Sequence, residues 1–275
     1  MDITKMHGLG NDFILVNACD VKENEFSALA AKLCRRRLSV GADGLIAVCP
    51  SDIADAKMRI FNADGSEAQM CGNGIRCFAR FVYDEGIVTS PDMSVETLAG
   101  IMKPSLSLGA DGAVELVTVD MGHPSFDRAA VPMGGQGSSV YSLIELDGQE
   151  REIGSVLMGV PHTLVLTDTF DSGIVSKLGP VIENLPLFPE KTNVDFVRII
   201  DDTKIEMRTW ERGAGETLAC GTGATGMAAL LHERGELMSD VEVCLAAGSL
   251  FIHIDRDDRC FMSGPAEYVF RGSLL

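Results

Sequence analysis

What the chain lacks narrows its class first. No apolar run reaches the roughly 18 residues that a membrane-spanning helix needs, and Met1-Asp2-Ile3-Thr4-Lys5 does not lead into the apolar stretch of a secretory signal. Positive charge is scarce: Lys and Arg total 23 against 40 Asp and Glu, a formal net charge of −17. Such a surface repels phosphate backbones and anionic headgroups, so neither nucleic acid nor membrane is expected as a partner. The five histidines never stand as H-x-x-x-H or H-x-x-E-H, and the eight cysteines include no C-x-x-C, so no metal is expected. Without an export signal or a regular framework spacing, those cysteines read as reduced thiols, and the expected location is the cytoplasm. What remains is apolar matter, 46% of 275 residues, enough for one large core or two modest ones.

The chain repeats itself. A shift of 149 positions brings Cys71 onto Cys220, Glu67 onto Glu216, Gly72 onto Gly221, Gly74 onto Gly223, Ala79 onto Ala228 and Gly86 onto Gly235. The same shift aligns Gly10 with Gly159, Val16 with Val165, Met58 with Met207 and Arg59 with Arg208, far from the cysteines. One register over separate segments predicts duplicated domains. Short β-rich runs at 13–16 and 43–48 are matched by runs at 163–166 and 194–200. After each cysteine the period changes: Ile75, Phe78, Ala79 and Val82 form a helical stripe that Ala224, Met227, Ala228 and Leu231 repeat, with Gly86 and Gly235 as C-caps. The segment 109–154, rich in Gly, Ser and Pro, holds the crossover near residue 119. We expect a first domain over 1–118, completed by 262–275 through Tyr268-Val269-Phe270, and a second over 119–261.

Cys71-Gly72-Asn73-Gly74 and Cys220-Gly221-Thr222-Gly223 each place a thiol at a helix start, with glycines that let a ligand approach the backbone. Free N–H groups at a helix start attract carboxylates, and the same field lowers a cysteine pKa. One such motif alone is ordinary packing; two in matching registers are harder to explain that way. Facing one another, they would hold a substrate carboxylate between helix ends with a sulfur on each side of its α-carbon. One thiolate would then remove the α-proton while the opposite thiol delivers another, inverting the centre without pyridoxal phosphate or any other cofactor.

Longer motifs carry a resemblance. His7-Gly8-Leu9-Gly10-Asn11-Asp12-Phe13, Asn62-Ala63-Asp64-Gly65-Ser66-Glu67, Cys71-Gly72-Asn73-Gly74-Ile75-Arg76-Cys77 and Glu211-Arg212-Gly213-Ala214-Gly215-Glu216-Thr217-Leu218-Ala219-Cys220-Gly221-Thr222-Gly223 strongly resemble the diaminopimelate epimerases, nearly end to end. The resemblance implies an α/β (α+β) fold of two pseudo-symmetric domains, each a β-barrel-like sheet wrapped around a central helix. It also implies a homodimer and conversion of LL- to meso-diaminopimelate, a step toward lysine and peptidoglycan. By matching position it assigns catalysis to Cys71 and Cys220, and tuning of their protonation to His162 and Glu211. Contacts to a small-molecule amino-acid substrate fall on Asn11, Asn62, Gly72, Asn73, Asn193, Glu211, Arg212, Gly221 and Thr222.

Two positions depart from the family pattern. Gly159-Val160-Pro161-His162 stands where many members read Gly-Asn-Pro-His, and Gly44 stands where some carry Gln. A lost amide removes a polar contact at the distal end of the substrate, which loosens discrimination more than it affects chemistry. The alternatives are therefore a related racemase of another amino acid on the same scaffold, or a non-catalytic amino-acid-binding protein, which would have no reason to keep both thiols. A cysteine hydrolase needs a Cys–His pair and an oxyanion hole in place of two symmetric thiols.

Overall fold

The run Phe13-Ile14-Leu15-Val16 is apolar at every position, and all four side chains are buried, as in a strand covered on both faces. The computed structural model describes residues 1–146, 148–170 and 173–274. The chain divides into two compact units, Met1–Asp120 with Ser263–Leu275, and Met121–Met262.

In the first unit the elements run β1 (Asp2–Gly8), β2 (Asn11–Asn17), α1 (Phe26–Leu33), β3 (Gly44–Cys49), β4 (Ala56–Asn62), β5 (Glu67–Ala68), α2 (Gly72–Asp84), β6 (Val95–Thr97), β7 (Gly100–Met102), β8 (Ser105–Leu108) and β9 (Val114–Gly122). The second holds β10 (Ser142–Leu146), β11 (Gln149–Met158), β12 (Val160–Leu166), α3 (Ile174–Glu183), β13 (Asn193–Asp201), β14 (Lys204–Glu211), β15 (Gly215–Thr217), α4 (Gly221–Glu233), β16 (Asp240–Leu245), β17 (Gly248–Ile254) and β18 (Cys260–Gly264). The last strand, β19 (Glu267–Ser273), pairs antiparallel with β1, setting Phe270 opposite Lys5.

The 149-residue shift carries the backbone as well as the motifs. β2 and β12 correspond residue for residue, as do α2 and α4. In the first sheet the order is β19-β1-β2-β3-β4-β6-β7, with β5 on β4; in the second β10-β11-β12-β13-β14-β16-β17 repeats it, with β15 on β14. Parallel pairing occurs at equivalent places, β2 with β3 and β12 with β13, β4 with β6 and β14 with β16.

Each sheet separates two helices. Ile14 and Val16 of β2 and Leu45 and Ala47 of β3 share one apolar cluster with Phe26, Ala30 and Leu33 of α1. From the opposite face of the same sheet, Ile46 and Ile60 meet α2: a Cβ on Gly74 would stand 3.3 and 3.0 Å from their Cδ1 atoms. α2 is packed by β1, β2, β3, β4 and β8, and α4 by β11, β12, β13, β16 and β17. A helix surrounded in this way must be apolar nearly all round, and nine of the thirteen residues of α2 are buried, as are ten of α4. Each unit is thus a sheet wrapped around a central helix. Gly86 and Gly235 follow these helices with φ of 67° and 76°, the left-handed conformation that ends a helix. Among the described residues no helix is long and apolar enough to cross a membrane, and no group of three His, Cys, Asp or Glu is arranged to hold a metal ion.

Candidate active site

In the first unit Cys71 is the N-cap of α2. Its backbone is extended (φ −144°, ψ 123°), and its Sγ accepts the Gly74 N–H at 3.4 Å. The thiol faces Asn11 Oδ1 at 3.8 Å, and that oxygen also accepts from Asn73 Nδ2 at 3.2 Å. Asn11 is oriented from its far side, where Nδ2 donates to Asp43 Oδ2 at 2.8 Å; Arg36 holds the other oxygen of Asp43 at 2.8 Å. Asn73 is 7% exposed, yet its Oδ1 is buried without a hydrogen-bond partner among the described residues. Cys71, Asn11, Asn73 and the opening residue Gly72 therefore come together, with Asp43 as a support that sequence reasoning missed. Asn62 ends β4 opposite Gly44 and donates to Ser66 Oγ at 2.9 Å, outside that hydrogen-bonded group.

In the second unit the cysteine sits in a different chemical setting. His162 of β12 and Asn193 of β13 are register partners, and both are buried. His162 Nδ1 lies 2.7 Å from Asp195 Oδ2, and neither side chain is exposed. A carboxylate only accepts, so Nδ1 carries the proton. Nε2 then accepts from the Thr222 hydroxyl at 3.0 Å and faces Asn193 Nδ2 at 3.4 Å. With its hydrogen committed to His162, Thr222 Oγ1 receives the Cys220 thiol proton across 3.4 Å. The chain of donors thus runs from Cys220 through Thr222 to His162 and ends on Asp195, whose second oxygen accepts from Thr209 at 2.8 Å.

Asn193 also ties Arg212 to this group, accepting its backbone N–H at 2.7 Å. The guanidinium of Arg212 is exposed and donates to Glu190 O at 2.7 Å. Glu211 accepts from Thr217 at 2.5 Å. Gly221 opens α4, and two positions on, Gly223 is required by packing: a Cβ there would stand 2.8 Å from Asp195 Oδ1 and 3.1 Å from His162 Cε1. Gly44 has a similar explanation, since a Cβ there would stand 2.8 Å from the Phe61 carbonyl oxygen, leaving no room for the larger residue that some family members carry.

The electrostatics at Cys220 run against the expectation from its helix start. Burial pushes its thiol well above the ordinary value, and the Glu211 and Asp195 carboxylates push the same way, against the Thr222 hydroxyl and Gly223 N–H. Asp195 is the residue sequence reasoning missed here. Its signal was present: a single carboxylate inside Val194-Asp195-Phe196-Val197, a run otherwise wholly apolar and wholly buried. Across the 149-residue register the first unit has no equivalent of this relay. Phe13 stands for His162, Ile46 for Asp195, Ile60 for Thr209 and Asn62 for Glu211.

Known proteins resemble this chain at several distances. Two relatives, the diaminopimelate epimerases of Caldanaerobacter subterraneus subsp. tengcongensis and Moorella thermoacetica, are 48% and 49% identical over 275 residues; they cover 100% and 99% of this chain, and the matches span 99% and 98% of the relatives. Among solved structures, a phenazine biosynthesis protein of the PhzF family from Bacillus anthracis superposes with a TM-score of 0.70 at 17% identity, covering 100% of this chain and 99% of that one. A probable proline racemase from Agrobacterium radiobacter K84 gives 0.69 at 17% identity, covering 100% and 92%. These two likenesses show the fold. The family profile described as Diaminopimelate epimerase matches residues 3–126 and 154–269. With that match spanning both units and both cysteine-capped helices, the chain belongs to the diaminopimelate epimerase family of isomerases.

Proposed function

We propose that the protein interconverts LL- and meso-diaminopimelate without a cofactor, using Cys71 and Cys220 as a thiolate and thiol pair, each unit acting as one epimerase domain. The observation that carries this reading is the pair of cysteine-capped helices at equivalent positions of a duplicated fold. The thiolate takes the α-proton; the electron pair of the broken C–H bond passes into the carboxylate, where helix N–H groups receive the charge. The second thiol then gives its proton to the other face. In the resting enzyme Cys220 is the protonated member, because burial and two carboxylates hold its proton in place. Thr222 and His162 keep that thiol oriented. The buried, unsatisfied Oδ1 of Asn73 suits a substrate ammonium, and Arg212 suits a distal carboxylate. The same reading takes the working form to be a cytoplasmic homodimer.

The test is incubation of the purified protein with LL-diaminopimelate in deuterated water and no added cofactor, following α-deuterium and stereochemistry. Inversion with one deuterium per product molecule is expected, and it should be abolished in Cys71→Ala and in Cys220→Ala. Near-normal turnover by either variant would rule out the two-thiol mechanism. A second reading, racemisation of an amino acid with a less polar side chain, is favoured by one observation: Val160, on β12, stands in register with Asn11 and where many family members carry Asn. A substrate panel in the same assay separates the two.

A further inference from the structure

One buried carboxylate of the second unit takes no part in the chemistry proposed above. Glu183, the last residue of α3, is 5% exposed. A carboxylate so placed is costly unless hydrogen bonds compensate it, and two groups do so. Trp210 Nε1 donates to its Oε2 at 2.7 Å, and Lys191 Nζ stands 3.3 Å from its Oε1. Lys191 is half exposed, so that ion pair contributes little; the charge-assisted bond from the indole is the stronger tie.

Trp210, the only tryptophan of the chain, stands two residues before Arg212. It packs with Ile182 of α3 and Val194 and Phe196 of β13 in one apolar cluster, on the face of the sheet away from α4. A Cβ on Gly179 would stand 2.5 Å from its Cγ, and one on Gly215 3.7 Å from its Cη2, so the ring reaches from α3 to the far side of the Arg212 turn. Arg212 takes its own contacts from the segment that follows α3: Glu190 O accepts from Nη1 and Asn193 Oδ1 from the backbone N–H, both at 2.7 Å. Two pieces of chain thus meet at Arg212. Glu183 ends the helix from which one of them departs and bonds the root of the other. Glu211, between Trp210 and Arg212, is held separately by Thr217 at 2.5 Å.

Across the 149-residue register the equivalents of Glu183 and Trp210 are Cys34 and Phe61, which share one apolar cluster, and the equivalent of Arg212 is Ala63. The polar tie therefore belongs to the unit that carries the arginine. We propose that Glu183 is a positioning residue that acts through Trp210 to set Arg212, and with it the distal end of the substrate site. The bearing on a distal carboxylate rests on the functional reading; the setting of Arg212 does not. Without the tie the hairpin keeps its strand pairing but loses the fixed place of its guanidinium, so substrate binding weakens and the thiol chemistry does not.

The experiment compares the full-length wild type with Glu183→Leu, Glu183→Gln, Trp210→Phe and Val175→Ala, the last a packing change on α3 in the same apolar cluster, with urea titrations to record stability. Steady-state inversion of diaminopimelate is one readout, and modification of Arg212 by phenylglyoxal, followed peptide by peptide, is the other. Glu183→Leu and Trp210→Phe should raise KM roughly tenfold with kcat within about twofold, the pattern of binding lost equally from ground state and transition state. Arg212 should react severalfold faster in both. Glu183→Gln, whose amide oxygen still accepts from the indole, should stay near wild type in both readouts, as should Val175→Ala whatever stability it loses. Unchanged Arg212 reactivity in Glu183→Leu, or in Trp210→Phe if the Leu variant does not fold, overturns the proposal. A Gln variant that behaves as Leu, a Val175→Ala that matches it, or altered reactivity with unaltered KM in an enzyme that inverts diaminopimelate also overturns it. Absence of inversion by the wild type, beside an Arg212 reactivity that depends on Glu183 and Trp210, sinks the functional reading and leaves the positioning role standing.

Discussion

Asp195→Asn is the sharpest probe of the relay behind Cys220, because it removes one charge while keeping the shape of a side chain that has no exposed surface. Asp195 accepts from His162 Nδ1 at 2.7 Å and from Thr209 Oγ1 at 2.8 Å. An asparagine can still turn its oxygen toward His162 and its amide nitrogen toward Thr209, whose hydroxyl is able to accept, so the histidine tautomer survives. What is lost is the charge on the acceptor. A charge-assisted hydrogen bond contributes about 1.5–3 kcal/mol and a neutral one about 0.5–1.5, so the change is on the order of 1–1.5 kcal/mol, or roughly tenfold in kcat/KM. Both directions must slow by the same factor, since the equilibrium between the stereoisomers is independent of the enzyme. The electrostatic sign is fixed as well: Asp195 pushes the Cys220 thiol up, so the variant should ionise Cys220 at lower pH, read from ultraviolet thiolate absorbance against a Cys220→Ala blank. Adding Thr209→Val removes the partner of the new amide and should lower activity further. Turnover within twofold of wild type together with an unmoved or raised Cys220 titration would refute the relay.

The remaining expectations follow from packing and burial. Gly223→Ala places a methyl 2.8 Å from Asp195 Oδ1 and should lower stability by about 1–3 kcal/mol in urea titrations, with loss of activity exceeding that of a comparable change at exposed Gly213. Because Cys77 is pushed up to about 12 in the folded protein, the unfolded chain loses that proton first as pH rises above about 9. The unfolded state then binds fewer protons, and stability should fall by about 1.4 kcal/mol per pH unit for this thiol alone. Cys77→Ala should make the alkaline slope shallower by that amount, and an unchanged slope would contradict the burial argument. Val160→Asn should raise kcat/KM for diaminopimelate by roughly tenfold over amino acids lacking a distal carboxylate, through one recovered hydrogen bond to a charged group; a fall would favour the apolar-substrate reading.

The parts of this molecule legible in the sequence are those that recur. The stripes Ile75, Phe78, Ala79, Val82 and Ala224, Met227, Ala228, Leu231 mark α2 and α4 because a central helix must be apolar on the face it turns to each strand. The β-rich runs at 13–16 and 163–166 fall inside β2 and β12. α1 and α3 are not legible in the sequence, for physical reasons. α1 is eight residues long, too short for its period to stand out, and α3 contains Gly179-Pro180, a pair that reads as a breaker. Gly179 is there because a Cβ would stand 2.5 Å from Trp210 Cγ, a tertiary demand with no local signature.

Charge was the least legible layer, and it is where the two units differ. Local sequence gives both cysteines the same helix start and hence the same expected lowering, yet Cys220 is driven upward first by burial and then by Glu211 and Asp195, nine and twenty-five residues away along the chain. Duplication copied the backbone, register and glycine turns, because those are set by packing around a central helix, which tolerates few changes. Positions lining the cysteine turns were free to diverge in charge once the apolar contacts were kept: Phe13 against His162, Ile46 against Asp195, Arg76 against Thr225. Identical surroundings would give the two thiols the same affinity for a proton. Buried carboxylates around Cys220, with apolar or neutral residues at the equivalent positions near Cys71, remove that equality, so the same scaffold, used twice, holds two chemically distinct thiols.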